Sequence, residues 1–138
     1  MGVPEAEIQR EVQQLKMNTN DEIEKHVINE FGESSLVPVS DLDRPLTVSE
    51  FRELAREELV NIGNHTMDHA ILTNYHLREA ESQITDAQNA VSEHAGTTPV
   101  VIAYPNGNYS DEIIRVSTAA GLKLGITIEA KKNIFPLT

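Results

Sequence analysis

The stretch that decides the fold is Pro99-Val100-Val101-Ile102-Ala103-Tyr104, a continuous apolar run. Such a run is typical of a strand that is buried on both faces, as in a parallel sheet. It is followed by Pro105-Asn106-Gly107-Asn108, whose residue types favour a turn. The sequence therefore predicts a buried strand that ends in a turn at about residue 105.

Two more strands and two helices surround this run. Residues 60–64 and 122–128 have the composition of strands, and residues 75–94 carry a helical stripe that Gly96 ends. A shorter helix begins at Ser110 and closes at Gly121. Strands that alternate with helices favour parallel pairing through crossover connections. The predicted fold class is α/β, and its functional residues should lie on the loops after the strands.

The first 45 residues are predicted to be a helical segment and a loop. Residues 5–16 repeat apolar side chains at helical spacing, and a second helix is predicted to be capped by Asn20 and stopped by Gly32. Residues 33–45 are rich in Ser, Asp and Pro, which favours a loop. We therefore expect a division between residues 1–45 and residues 46–138.

A third helix opens the second part of the chain. Thr47-Val48-Ser49-Glu50 has the pattern of a capping box, in which the Thr hydroxyl and the Glu carboxylate satisfy free amides. The apolar positions that follow, Phe51, Leu54, Ala55 and Leu59, predict a helix that reaches residue 59.

Composition limits the classes of function. The 138 residues carry a formal net charge of -11, which repels phosphate backbones and argues against nucleic acid and anionic membrane surfaces as partners. Cysteine is absent, so disulfides, thiolate zinc sites and a cysteine nucleophile are excluded. No apolar stretch approaches the roughly 20 residues that span a bilayer. The first residues lack a signal-peptide pattern, and cytoplasmic and cell-envelope locations both stay open.

A histidine pair follows the first predicted strand. His65 and His69 are four residues apart, a spacing that points both imidazoles to one side of a helical turn or tight loop. Imidazole is the commonest neutral ligand of zinc and related metals. A surface pair without metal, or a histidine that caps a helix, stays open as an alternative. Two ligands are also one fewer than the three that catalytic zinc usually takes from protein.

A second loop follows the strand at residues 99–104. Its residues 105–108 form a turn that can expose main-chain amides toward a ligand. An ordinary tight turn is the alternative interpretation.

Together the two loops resemble a known family. Ile62-Gly63-Asn64-His65-Thr66-Met67-Asp68-His69, followed by Leu72-Thr73-Asn74, is similar to the second motif of the polysaccharide deacetylases (the NodB-homology, carbohydrate esterase family 4 group). Residues 101–110 resemble the third motif of that family, and residues 119–127 resemble the helix-to-strand passage after it. The resemblance covers about residues 46–133. It implies a partial distorted (β/α) barrel of the deacetylase type, a NodB-like domain over residues 46–138.

The resemblance also implies a site. Both histidines of the second motif are metal ligands in the family, so His65 and His69 are expected to bind a divalent metal, most simply zinc. A main-chain amide at the position of Asn106 is expected to bind the oxyanion. The other residues implied, as supporting or substrate-binding groups, are Thr66, Tyr104 and Pro105. The reaction implied is removal of acetyl groups from N-acetylated or O-acetylated sugars, in which water attacks the acetyl carbonyl.

The chain also departs from the family pattern. The family's first motif is an Asp-Asp pair that provides the general base and a metal ligand, and this sequence has no such pair. Asp41 and Asp43 lie in a loop with no preceding strand, and Asp68 lies between the two histidines, so none of the three is expected to replace that pair. The later motif with a general-acid histidine is expected beyond residue 138. The sequence therefore resembles the middle portion of a deacetylase. We expect impaired activity, and an oligomer or a partner chain that pairs with the open sheet.

Two other interpretations stay open. One is a non-catalytic carbohydrate-binding or assembly module derived from a deacetylase. The other is a plain α/β domain in which the histidine pair has a structural role.

Overall fold

The structure is a computed structural model that describes residues 3–130 and 132. The helices within that part of the chain are α1 (Glu5–Leu15), α2 (Asn20–Phe31), α3 (Val48–Leu54), α4 (Leu77–Ala95) and α5 (Asp111–Ala119). The strands are β1 (Val101–Ala103) and β2 (Leu124–Ile126). Short 3₁₀ turns lie at Glu33–Leu36, Leu72–Asn74 and Pro105–Gly107. None of the helices described has the length and apolar character needed to cross a membrane.

The sheet is small and parallel, as the sequence predicts. β1 and β2 pair in parallel, with Ile102 opposite Gly125. On the other side of β1, Asn64 forms a single parallel bridge to Ile102. The order along the chain is therefore the Asn64 segment, α4, β1, α5 and β2. The part of the chain that the structure describes does not form a closed barrel, so the barrel stays a prediction.

The predicted strands are longer than the observed ones. The prediction of a strand at residues 60–64 is wrong except at Asn64. β1 offers only three residues for pairing, and the Val60 amide donates to the Glu57 carbonyl at 3.0 Å instead of to a strand. The strand predicted at residues 122–128 is observed only as β2. Its first amide, on Leu122, bonds the Ser117 carbonyl at the end of α5.

The hydrophobic core lies between the sheet and α4 and α5. The buried side chains that form it are Leu72, Ala80, Ile84, Ile102, Tyr104, Ile113 and Leu122. The middle of the predicted α4 stripe is confirmed, because Ala80, Ile84 and Ala87 are buried. Leu77, at the start of the stripe, is 47% exposed. Gly96 ends α4 in a left-handed conformation, as predicted.

The N-terminal helices are confirmed with small changes. α2 is capped by Thr19 and not by the predicted Asn20, because Glu22 lies three residues after Thr19 and completes a capping box. α3 ends at Leu54, five residues short of the prediction. The reason is that Leu59 is 94% exposed and has no apolar surface to pack on.

Ionic contacts fix the start of α3. The Arg44 guanidinium donates to both carboxylate oxygens of Glu50 at 2.8 Å, and the Thr47 amide donates to Glu50 at 2.7 Å. These contacts, first that with Arg44, lower the pKa of Glu50 to about 2. The capping box predicted at Thr47 and Glu50 is therefore present.

Gly125 in β2 provides the first test of the packing. A Cβ at this position would lie 2.7 Å from the Tyr104 ring, closer than real contacts allow. We expect Gly125→Ala to displace the ring and to lower the free energy of unfolding by about 1–3 kcal/mol. Urea denaturation followed by circular dichroism measures this. An unchanged midpoint would show that Tyr104 is not packed against β2 as described.

Candidate functional site

The two predicted histidines lie together. His65 follows Asn64 directly, at the end of the segment that pairs with β1, and His69 follows four residues later. The centroids of their rings are 4.7 Å apart, with the ring planes at 76°. Both residues are exposed. The spacing therefore places two imidazoles side by side on the surface, as the sequence predicts.

His65 connects the two predicted loops. Its Nδ1 lies 2.6 Å from the main-chain oxygen of Ala103, the last residue of β1. A carbonyl oxygen only accepts, so this contact requires a proton on Nδ1 and leaves the Nε2 lone pair available. Metal-binding histidines commonly show this arrangement, in which the second nitrogen is held by a carbonyl or a carboxylate. The ring is therefore oriented for a ligand role.

The loop between the histidines has an unusual backbone. Thr66 has φ 64° and His69 has φ 57°, both in the left-handed region that residues other than glycine rarely adopt. Thr66 is buried, and its hydroxyl accepts the Ala70 amide at 2.7 Å. Its own amide donates to the Asn64 side chain at 2.8 Å. These bonds support the prediction that Thr66 shapes the loop. Strained backbone of this kind is concentrated at functional sites.

A buried polar network holds the start of the loop. The Asn64 amide nitrogen donates to the Ile84 carbonyl at 2.9 Å and to the Gln88 side chain at 3.1 Å. Gln88 in turn donates to the Pro99 carbonyl at 3.0 Å. Asn64 and Gln88 are 1% and 6% exposed, so their bonds are shielded from water. The sequence interpretation missed this network. The sequence feature that could have indicated it is Gln88, which lies four residues after Ile84 on the apolar face of α4, where a buried polar side chain needs a hydrogen-bond partner.

A second contact with α4 fixes the middle of the loop. The Gln83 side chain donates to the Asp68 carboxylate at 2.7 Å and accepts the Asp68 amide at 3.0 Å. The Gln83 carbonyl accepts the Met67 amide at 2.9 Å. The Asp68 side chain is therefore directed to α4, in agreement with its exclusion as a metal ligand from the sequence.

The turn after β1 is also tightly defined. Asn106 has φ 55°, and its side chain donates to that of Asn108 at 2.8 Å. The main-chain N–H of Asn106 makes no hydrogen bond to the residues that the structure describes. Gly107 has φ 73° and no room for a side chain, because a Cβ would lie 2.5 Å from Ile128. A groove of 630 Å³ beside this turn is lined by Thr73, residues 106–111, Ile128 and Glu129.

Tyr104 and Pro105 lie on the inner side of the turn. Tyr104 is 7% exposed and belongs to the hydrophobic core, and Pro105 is fully buried. Tyr109, which lines the groove, stacks on Tyr104 with ring centroids 5.8 Å apart. Of the two predicted roles for Tyr104 and Pro105, this burial favours support of the turn over direct contact with substrate.

The donor set fits a metal only in part. Two imidazoles converge, but residues 3–130 and 132 contain no group of three or more histidine, aspartate or glutamate side chains that could hold an ion. Asp41 and Asp43 have other partners, since Asp41 accepts from Arg44 at 3.2 Å and Asp43 from the Val39 amide at 3.1 Å. The described part of the chain therefore brings two imidazoles side by side without a third donor that would complete a metal site.

Residues 17–125 match the family description "Polysaccharide deacetylase". The match begins before residue 46, inside the helical segment, and so does not mark the predicted division between residues 45 and 46.

Two proteins of Bacillus subtilis (strain 168) are similar to the chain. The protein named "Putative polysaccharide deacetylase YxkH" is 26% identical over 84 residues, which are 61% of this chain and 30% of YxkH. The peptidoglycan-N-acetylmuramic acid deacetylase PdaC is 35% identical over 52 residues, 38% of this chain and 11% of PdaC. The chain thus spans less than a third of the length of these relatives.

A solved structure shares the fold. It is the Streptococcus pyogenes deacetylase PplD in complex with acetate, with a TM-score of 0.57 and 21% sequence identity. The likeness covers 72% of this chain and 40% of that one. The resemblance to the polysaccharide deacetylases is therefore confirmed by the family match, and the structural likeness confirms a deacetylase-like α/β fold with a small parallel sheet, while the barrel stays a prediction.

Proposed function

The chain belongs to the polysaccharide deacetylase family, and from this premise we propose that it binds acetylated sugars and contributes to removal of their acetyl groups. The observation that supports this most directly is the contact between the His65 Nδ1 and the Ala103 oxygen. It holds His65 at the end of β1, next to the turn whose Asn106 main-chain amide has no partner in the described part of the chain. In the proposed reaction, a metal held by the histidine pair would polarise the acetyl carbonyl, and the main-chain amide of Asn106 would stabilise the oxyanion.

We propose that His65 and His69 bind one divalent metal ion, with zinc as the expected ion. The protonated Nδ1 of His65 leaves its Nε2 for the metal, and the ring of His69 lies beside it. A bound ion of this kind supplies Lewis-acid polarisation of the acetyl carbonyl. With two ligands in place of the usual three, binding should be weak.

The remaining chemistry falls to the chain's own groups. The Asn106 amide is proposed to donate to the carbonyl oxygen as its negative charge develops, which is the role of an oxyanion-hole donor. Thr66 keeps the loop in its left-handed conformation through the Ala70 amide. The two aspartates weighed in the sequence as a substitute for the family's base are engaged elsewhere. We therefore propose slow turnover, since a positioned base contributes about 10²–10⁴-fold.

Acetate release from N-acetylglucosamine oligomers tests the function. The chain is incubated with a tetramer of this sugar and with zinc, and acetate is measured enzymatically over hours. We expect slow, zinc-dependent release above the level of a heat-denatured sample. Release that is the same with and without folded protein would contradict the proposal. Fast turnover would support the substrate but contradict the argument from the missing base.

The second candidate is a carbohydrate-binding or assembly module without chemistry. The observation that favours it is the lack of a third metal ligand in the part of the chain that the structure covers. Saturable binding of the same tetramer, with no acetate released at any zinc concentration, would select this candidate. The association with a second copy or a partner chain that the sequence suggests stays a prediction. β2, whose residues are all exposed, is where such pairing would occur.

A further inference from the structure

The helical hairpin formed by α1 and α2 is attached to the site by polar contacts at its corner, residues 16–20. The Asn74 side chain donates to the carbonyls of Lys16 and Asn18, both at 2.9 Å. The Tyr75 hydroxyl accepts the Asn20 amide at 2.6 Å. The Lys16 carbonyl at the end of α1 and the Asn20 amide at the start of α2 are groups that a helix leaves without internal partners, and Asn18 lies in the connection between the two helices. Asn74 and Tyr75 therefore cap both helices from outside.

The same corner reaches the histidine loop directly. The Asn20 side chain donates to the main-chain oxygen of Asp68, the residue before His69. Asp68 is held from the opposite direction by Gln83 of α4. The main chain next to His69 is therefore fixed between the hairpin corner and α4.

Apolar packing of α1 and α2 is limited to half-buried side chains such as Leu15, Ile23 and Val27. Neither α1 nor α2 contains a fully buried residue. The polar bonds join residues separated by 48 to 58 positions, and Tyr75 is partly buried at their centre. Burial raises the pKa of Tyr75, and the nearby acids Asp21, Asp68 and Glu79 act in the same direction, so the hydroxyl stays neutral. The corner is thus a specific polar contact.

We propose that Asn20, Asn74 and Tyr75 are positioning residues for the histidine pair, so that the helical hairpin forms part of the deacetylase site. This inference rests on the proposed function, because it assigns the hairpin a role in metal and substrate binding by the same loop. The three residues act through the Asp68 and His69 backbone and do not touch substrate. Loss of their bonds should allow His69 to leave the position in which it faces His65.

The test uses variants that remove one polar group each. Asn20→Asp removes the donor to Asp68 and introduces a carboxylate in the first turn of α2, where the helix dipole favours negative charge. Tyr75→Phe removes only the hydroxyl. Asn18→Ala is the matched control, because it lies in the same corner and keeps the carbonyl that Asn74 binds. Zinc affinity is measured by competition with a chromogenic chelator, and amide hydrogen exchange of residues 65–70 by mass spectrometry.

For Asn20→Asp and Tyr75→Phe we expect zinc affinity about tenfold weaker, the size seen for groups that orient metal ligands, with faster exchange in residues 65–70. The urea midpoint and the exchange of α4 should stay as in the unaltered chain and in Asn18→Ala. Unchanged affinity and loop exchange in both variants would overturn the proposal. Faster exchange confined to α1 and α2 would also overturn it. If the unaltered chain binds no zinc and releases no acetate, the proposed function is wrong, and the loop exchange alone decides the positioning role.

Discussion

Simultaneous replacement of His65 and His69 by alanine is expected to abolish zinc uptake and acetate release. The rings of these two residues lie side by side in the described structure and are the metal ligands that we propose, so their removal leaves no imidazole at the end of the Asn64 segment. The affinity for zinc should fall by more than about 100-fold, beyond the effect of losing a group that only orients a ligand. Equilibrium dialysis followed by metal analysis measures the loss.

A matched control separates this effect from general histidine binding. His26 lies on α2, where its Nε2 is 3.5 Å from the Glu11 carboxylate, far along the chain from the loop. His26→Ala should bind zinc as the unaltered chain does. The double variant should lose no more than about 0.5–1.5 kcal/mol in the free energy of unfolding, because both side chains are exposed and one hydrogen bond, from His65 to the Ala103 oxygen, is lost. Stoichiometric zinc retained by the double variant would place the metal elsewhere.

Asn64→Ala is expected to have the largest effect on stability among the loop residues. The substitution removes three side-chain hydrogen bonds and leaves the Thr66 amide and the Gln88 side chain buried without these partners. A buried polar group without a partner costs about 1–3 kcal/mol. We expect a loss of about 2–4 kcal/mol in the free energy of unfolding, with zinc affinity at least tenfold lower.

Urea denaturation of Asn64→Ala and Asn61→Ala measures the difference. Asn61 lies three residues earlier in the same segment and is exposed, so its replacement should change stability by less than about 0.5 kcal/mol. Equal effects of the two substitutions would show that the buried network does not support the loop.

Much of the architecture follows from local patterns in the sequence. The apolar run at residues 99–104 contains β1, and the stripe on residues 75–94 contains α4 with its buried face. Parallel pairing follows from the alternation of strands and helices. The sequence patterns did not correctly predict where the helices and strands end. Leu59 fits the helical stripe of α3 but is exposed, and periodicity alone does not show where packing surface ends.

The sequence predicted the two histidines of the candidate site but not the residues that hold their loop in place. The spacing of His65 and His69 indicates two imidazoles on one side, and the structure brings them together. Their support by Gln83, Gln88 and Asn74 depends on contacts between residues 15 or more positions apart, which no local pattern encodes. Amide side chains of this kind resemble ordinary surface residues until the partner element is placed beside them.

The left-handed conformation of Thr66 has a consequence for variation at this position. Glycine would adopt φ 64° freely and relieve a cost of roughly 1–2 kcal/mol for a β-branched residue. It would also remove the hydroxyl and leave the Ala70 amide, buried beside it, without an acceptor. Asparagine would tolerate the torsion but would replace the hydroxyl that accepts the Ala70 amide. Serine, which keeps the hydroxyl and loses the branch, is therefore the replacement that the loop should accept most easily.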